Sequence, residues 1–330
     1  MKLIIRTIVF IIGIVLIAIS SCGKKVPTHQ LEVVSFRLNI PGVEIDKYFG
    51  QVTDLDITNQ GEFIVMDVMG PGVLRFDKDG NYINNIAGYG SGNYGALCSV
   101  NPVDTLLAVN TAGILEFFTA RGKPVIRHFL RGRGDISVAA DSSFLINRMY
   151  DSRIFGNCLE TYDKDGKLIN KFRTPRCTQE GTEYLDFAFS GIAPDKKIIY
   201  VPAMVDSGFI YDFQGNLILA KKIKSKLKPY VLEEGKPGPL AEDMYVNEDG
   251  IFIVRVDKNL DTGGFVYFDL IEQYNFKFER IAMYTFSVPL TMTVPMYDFS
   301  PWYHKFVQRN GIFYFMVSQP FEQLLAFKAK

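Results

Sequence analysis

The chain has 330 residues, and its 36 basic side chains are matched by 36 acidic ones. It therefore lacks the cationic excess that a phosphate backbone demands, and nucleic acid is excluded as a partner on charge. Its aromatics are 27 Phe and 17 Tyr against one Trp, a composition that suits pleated strands better than helices, and the length allows one large domain or two ordinary ones.

The first element is a leader. Lys2 and Arg6 precede an apolar run from Thr7 to Ile19, and Ser20 and Ser21 lead into Cys22. A charged start, a short apolar core and small residues before a cut site mark a secretory signal. The run is shorter than the roughly 20 apolar residues a spanning helix needs. The stretch Ile19-Ser20-Ser21-Cys22 resembles the lipobox of bacterial lipoproteins. That resemblance implies removal of residues 1–21, lipid on Cys22 as the new N-terminus, and a lipidated linker over residues 22–30. Each acyl CH₂ buried in a bilayer contributes about 0.8 kcal/mol, so several chains make the membrane a permanent partner. Removing the leader takes Lys2 and Arg6 and no acid, which leaves two more acids than bases. Gly23 stands where an inner-membrane retention signal would have Asp, and residues 24–30 carry no acidic export run. By the same resemblance the expected location is the outer membrane of the cell envelope, facing the periplasm.

After the leader, short alternating runs recur between turn residues, the pattern of strands. The strand Leu31–Leu38 comes first. Then follow Thr53–Ile57, a turn at Asn59-Gln60-Gly61, Glu62–Asp67, a Gly70-Pro71-Gly72 turn, Val73–Phe76, the turn Asp77-Lys78-Asp79-Gly80, and Asn81–Ile86. The last of these hairpins returns as Phe118-Thr119-Ala120-Arg121-Gly122-Lys123, as Tyr162-Asp163-Lys164-Asp165-Gly166-Lys167 and as Tyr211-Asp212-Phe213-Gln214-Gly215-Asn216, with a degraded fifth copy expected at Tyr267-Phe268-Asp269. Each Gly sits where a short hairpin needs a left-handed residue. Four strands repeating every 40–50 residues indicate propeller blades. Second-strand signals at Phe63–Asp67, Leu106–Asn110, Phe144–Asn147, Ile198–Val201, Ile251–Val254 and Ile312–Val317 bring the count to six. The fold expected over residues 31–330 is thus all-β: a six-bladed β-propeller of four-stranded antiparallel blades. Leu31–Leu38 supplies the outer strand of the last blade and closes the ring. Long insertions are expected at Lys224–Glu242 and Tyr284–Lys305.

Residues 53–95, with the Gly-rich exit Gly88–Gly95, resemble an NHL-type repeat. The whole mature chain resembles the six-bladed, TolB-like propeller lipoproteins of Bacteroidetes. The resemblance implies a monomeric envelope module that binds a protein, peptide or glycan without catalysis.

The chemistry is sparse. Three histidines (His29, His128, His304) are too few and too scattered for a propeller metal site built on axial His, and no Gly-x-Ser-x-Gly elbow occurs. An Asp-box of the sialidase kind needs Trp at its end, and Trp302 stands elsewhere. Asp77–Gly80 and Asp163–Gly166 lack the ligands of a calcium loop and read as hairpin turns. No cofactor is expected under the binding reading. The alternative is a calcium-dependent lactonase or hydrolase, with Asp67, Asn110 and Asn147 at second-strand ends as the candidate ligands. Arg, Tyr and Trp dominate binding hot spots, and Arg clamps carboxylates bidentately. They gather in the segments expected on one rim, which makes Tyr89, Tyr94, Arg131, Arg133, Arg148, Tyr150, Arg153, Trp302 and Tyr303 the candidate ligand-binding face. Of the cysteines after Cys22, Cys158 and Cys177 are the candidate disulfide and Cys98 is left over; three separate free thiols are the alternative.

Overall fold

The computed structural model describes residues 26–42, 49, 52–67, 70, 72–88, 99–103, 106–111, 113–130, 134–148, 158–174, 188–203, 205–223, 225, 241, 243–257, 265–293, 305–317 and 323–330. These residues contain β-strands and no helix. After β1 (Thr28–Val34) come four groups of four strands. They are β2 (Val52–Ile57), β3 (Phe63–Asp67), β4 (Gly72–Phe76) and β5 (Tyr82–Gly88); β6 (Ser99–Val103), β7 (Leu106–Thr111), β8 (Ile114–Thr119) and β9 (Pro124–Phe129); β10 (Asp135–Val138), β11 (Phe144–Arg148), β12 (Cys158–Tyr162) and β13 (Leu168–Arg173); and β14 (Ala188–Ile192), β15 (Ile198–Pro202), β16 (Ser207–Tyr211) and β17 (Leu217–Lys222). Each group is a separate antiparallel sheet in chain order. Then follow β18 (Asp243–Asn247), β19 (Gly250–Asp257), β20 (Phe265–Tyr274), β21 (Arg280–Thr293), β22 (Phe306–Arg309), β23 (Ile312–Val317) and β24 (Gln323–Ala329). With β1 these make one eight-stranded sheet, ordered β18-β19-β20-β21-β1-β24-β23-β22.

The sheets stand radially. The strands β2, β6, β10, β14, β18 and β22 touch in that order, and β22 returns to β2 around a central axis. Second strands are apolar on both faces because each is sandwiched between neighbouring sheets. Phe63–Met66, Phe144–Ile146 and Ile198–Val201 are all buried, each large side chain contributing roughly 1.5–3 kcal/mol. Ile64, Met66 and Val73 meet Leu107, Val109 and Phe118 across one gap, and Leu145 and Leu159 meet Ile198, Tyr200 and Phe213 across another. Outer strands such as β13 and β17 leave alternate residues in solvent.

The recurring hairpin has one geometry. In the β4–β5 turn Gly80 N–H donates to Asp77 O and Asp77 N–H to Asn81 O, while Asp77 Oδ1 accepts from the Asn81 amide at 2.8 Å. Gly80 sits at φ 85°, where a side chain with a Cβ costs about 1–2 kcal/mol.

Several expectations change. Six separate blades were expected; the structure has four separate sheets and one eight-stranded sheet, because β1 pairs on both sides. It runs antiparallel to β24 (Leu31 opposite Ala329) and parallel to β21 (Thr28 opposite Met283). The N-terminal strand does pair with the last one, but it spans Thr28–Val34, not Leu31–Leu38. Phe36 and Leu38 pack into the cluster beside β2–β5. The fifth hairpin is not at Tyr267–Asp269, through which β20 runs unbroken. Its turn is Asn275–Glu279, with the same two backbone bonds and Phe278 in the place of Gly, at φ 51°. Burial of the Phe278 ring against Tyr274 offsets the strain. The expected insertion at Tyr284–Lys305 is strand as far as Thr293, because β20 and β21 extend as one long hairpin.

Candidate functional site

The first strands enclose a cavity of about 280 Å³ along the axis, lined by residues of β2, β6, β10, β14, β18 and β22 and their ends. Its charged residues are concentrated where these strands begin. Asp54 lies near the start of β2, Asp135 opens β10, Asp243 opens β18, and Lys305 immediately precedes β22. Asp56 stands two residues along β2, on the same face as Asp54. Lys305 Nζ is 3.6 Å from Asp54 Oδ1. The carboxylates are anchored by the backbone: Asp54 Oδ1 accepts from Leu55 N–H at 2.9 Å, and Asp56 Oδ1 from Ile57 N–H at 2.8 Å. Asp243 accepts from Met244 N–H at 2.7 Å and from Phe306 N–H at 3.2 Å, tying β18 to β22. The Tyr245 hydroxyl donates to Asp56 at 3.2 Å.

Four carboxylates facing one ammonium cannot all ionise freely. Burial, and after it the charge of Asp54, push Asp56 up to about 7. Burial pushes Asp243 up to about 6 against the pull of Lys305, and raises Asp135 in the same way. Burial works against the Lys305 ammonium, but Asp54, Asp243, Asp135 and Asp56 together outweigh it and hold its pKa above that of an ordinary lysine. Lys305 is thus a fixed positive charge, whereas Asp56 and Asp243 change protonation near neutrality. Such perturbed groups in a cavity are a mark of functional sites.

No family model matches the chain, and no curated protein matches it. Solved structures do. A protein of Bacteroides fragilis described as exported superposes with a TM-score of 0.58 at 12% identity, over 92% of this chain and 99% of its own. A member of the DUF4221 family from Bacteroides vulgatus gives 0.58 at 12%, over 93% and 99%. Virginiamycin B lyase from Staphylococcus aureus gives 0.51 at 10%, over 91% and 99%. The chain folds as a β-propeller. At these identities the likeness establishes the propeller alone.

The propeller places the sequence-derived candidates as follows. Tyr89, Tyr94, Arg131, Arg133, Tyr150, Arg153, Trp302 and Tyr303 lie outside the described residues, as do Cys22, Cys98, Cys177 and His304. Arg148 is described, and it is clamped. Its Nη2 and Nε bind Glu160 Oε2 at 2.7 and 2.9 Å, Lys171 Nζ binds Oε1 at 2.8 Å, and the Tyr162 hydroxyl donates to Oε2 at 2.9 Å. Burial would raise Glu160, but the bonds from Lys171 and Arg148 prevail and keep it below the usual carboxylate range. The same clamp recurs at the equivalent place in β19–β21: Arg255 Nε binds Glu272 Oε2 at 3.0 Å, Arg280 binds its other oxygen at 2.7 Å, and Tyr274 donates at 2.9 Å. Arg148 therefore braces its sheet as Arg255 does. Cys158 is a buried free thiol.

Asp67, Asn110 and Asn147 do sit at matching levels, opposite Val52, Ser99 and Asp135. Asn110 Nδ2 donates to Gly134 O at 3.4 Å and Asn147 Nδ2 to Ala188 O at 3.0 Å, stitching each sheet to the next. Among the described residues no group of three His, Cys, Asp or Glu side chains is placed to hold a metal ion. Of the three candidates, Asn147 keeps a buried side-chain oxygen, Oδ1, with no hydrogen-bond partner.

Sequence reasoning missed the axial acids. The signal was an Asp before a buried aliphatic residue at the start of alternate first strands: Asp54-Leu55, Asp135-Ile136 and Asp243-Met244.

Proposed function

We propose that this chain is a lipid-anchored, six-bladed propeller of the cell envelope that binds a ligand in its axial cavity without transforming it. The blade count rests on the seam in the eight-stranded sheet. Pairing is antiparallel from β18 to β21 and from β22 through β24 to β1, and the single parallel junction between β21 and β1 divides it into two blades. Six first strands around the axis support the same count. The leader, Cys22 and Gly23 support outer-membrane anchoring toward the periplasm. The observation that carries the binding reading is the axial cavity with Lys305 held protonated among four aspartates. An ammonium so stabilised serves as a charge for recognition and not as a base or nucleophile. About 280 Å³ is at the small end of ligand pockets, so a protein, peptide or glycan partner would enter by a chain end.

Native mass spectrometry of the full chain extracted from its own membrane tests this. Wild type is expected to carry a retained mass that the cavity-filling variant Ser190→Trp lacks. Identical spectra for the two would sink the reading. The second reading is the calcium-dependent hydrolase, favoured by Asn147 Oδ1, which is buried without a hydrogen-bond partner. A melting temperature that falls by several degrees in chelator would support it, and indifference to chelator would remove it.

A further inference from the structure

We propose that the ligand of the axial cavity is an organic cation, a small molecule or chain end bearing one or two protonated amines; this rests on the cavity being the binding site. The first argument is charge. At the far end of the cavity Arg309 and Glu248 face each other at 3.7 Å and offset one another. Among the described residues, what remains on the wall is Asp54, Asp56, Asp135 and Asp243 against Lys305. Backbone N–H groups orient Asp54, Asp56 and Asp243, and the Tyr245 hydroxyl also holds Asp56; none of these donors carries a charge. A buried excess of negative charge is costly until a cation or a proton relieves it. Burial raises Asp56 to about 7 and Asp243 to about 6, so protons relieve part of that charge near neutrality. A bound ammonium would do the same work and displace them.

The second argument is independent of charge. Thr53 Oγ1 on β2 and Ser190 Oγ on β14 line the cavity from opposite sides of the ring of first strands. Both oxygens are shielded from solvent and have no hydrogen-bond partner in the wall. Buried hydroxyls left unpaired are uncommon and ask for a partner. A rotation of each short side chain that turns its oxygen into the cavity would let N–H groups of an ammonium reach these two oxygens and the carboxylates together. The third argument favours an organic cation over a bare ion. The cavity is far larger than one, and among the described residues no three acidic, His or Cys side chains converge on a single point.

The test is calorimetric titration of the full chain in detergent with putrescine (1,4-diaminobutane), alongside 1,4-butanediol, succinate and calcium chloride. Putrescine is expected to bind one to one, at least tenfold more tightly at pH 8 than at pH 5.5, with proton release seen as a buffer-dependent enthalpy. Asp243→Asn is expected to weaken it at least tenfold, with Asp135→Asn as the substitute if that variant fails to fold, and Ser190→Trp to abolish it. Preference for succinate or butanediol that Ser190→Trp abolishes would overturn the amine assignment and leave the cavity as the binding site. Calcium binding more tightly than putrescine would replace the organic cation with an inorganic one. Putrescine binding unmoved by these variants would place the amine elsewhere and overturn the proposal. Silence from every probe, with identical native spectra for wild type and Ser190→Trp, would overturn the proposal and the binding reading together.

Discussion

Replacing Lys305 with Met tests the electrostatics of the axis. At 3.6 Å from Asp54 Oδ1 the ammonium attracts that carboxylate by about 5 kcal/mol at an effective dielectric of about 20. Met has no such charge, but it also escapes the cost of burying one, so the net loss is expected at about 2–4 kcal/mol where the acids are ionised. The loss must depend on pH. Asp56 and Asp243 have folded pKa values of about 7 and about 6, above the ordinary 3.8. Raised acids contribute stability that is full below about pH 4 and declines as pH rises through 6 and 7. Without Lys305 those values rise further and the decline steepens. Urea denaturation at pH 8 should therefore show the full loss, and at pH 5, where protons replace the ammonium, no more than about 1 kcal/mol. For a domain of about 300 residues the pH 8 difference is about 3–6 °C in melting temperature. Asp54→Asn added to Lys305→Met should recover most of it. A loss of equal size at both pH values, or a gain at pH 8, would refute the reasoning.

Other expectations concern the frame. Phe278→Ala should cost about 3 kcal/mol through the lost ring, and Phe278→Gly should cost no more, because Gly relieves φ 51°; denaturant midpoints of the two variants decide, and Ala being the more stable would count against the strained turn. Arg148→Ala and Arg255→Ala should each lose about 2–3 kcal/mol, since Lys171 still pairs Glu160 and Arg280 still pairs Glu272, with a double-mutant cycle of Arg148→Ala against Glu160→Gln showing coupling. Gly311→Ala should cost about 1 kcal/mol, since its φ of 73° faces open space, while Gly166→Ala at φ 77° should cost visibly more, since its Cβ would meet His128 Nδ1. Equal melting temperatures for those two would show that space is irrelevant there.

Much of the frame was legible because it is written in burial. A second strand between two sheets must be apolar on both faces, so Phe144–Asn147, Ile198–Val201 and Ile312–Val317 announce themselves. The fifth turn was not legible, because Phe278 achieves by core packing what Gly achieves by lacking a Cβ. Nor was the length of β21, since a strand pairing on both sides needs no turn signal where an insertion was expected. Arg148 looked like a rim cation because it ends a strand. Its fate was in the next strand, where Glu160 and Tyr162 repeat as Glu272 and Tyr274 beside Arg255. The axial acids were the hardest case. A single Asp at a strand start reads as a turn residue, and only closure of the ring brings Asp54, Asp135 and Asp243 together around Lys305.

The direction of β1 fixes how an anchored propeller would sit. The strand β22 leaves the end of the axis where Lys305 and the acids lie. Three antiparallel pairings lead from β22 through β23 and β24 to β1, so β1 begins at the opposite end. Five residues separate Cys22 from Thr28, a reach of about 20 Å when extended. A lipid on Cys22 would thus hold the turns between third and fourth strands toward the bilayer and the acidic end of the axis away from it. The same polarity would put Lys164, in the β12–β13 turn, on the membrane side of an anchored ring and Phe129, the exposed last residue of β9, on the far side. Fluorophores placed by Lys164→Cys and Phe129→Cys, in vesicles carrying headgroup quenchers, are expected to be quenched strongly at the first position and weakly at the second. Cys22→Ala should abolish quenching at both. Equal quenching at the two positions, or quenching that survives Cys22→Ala, would mean that the anchor does not orient the ring, and the axial cavity would then have no preferred side from which to meet its ligand.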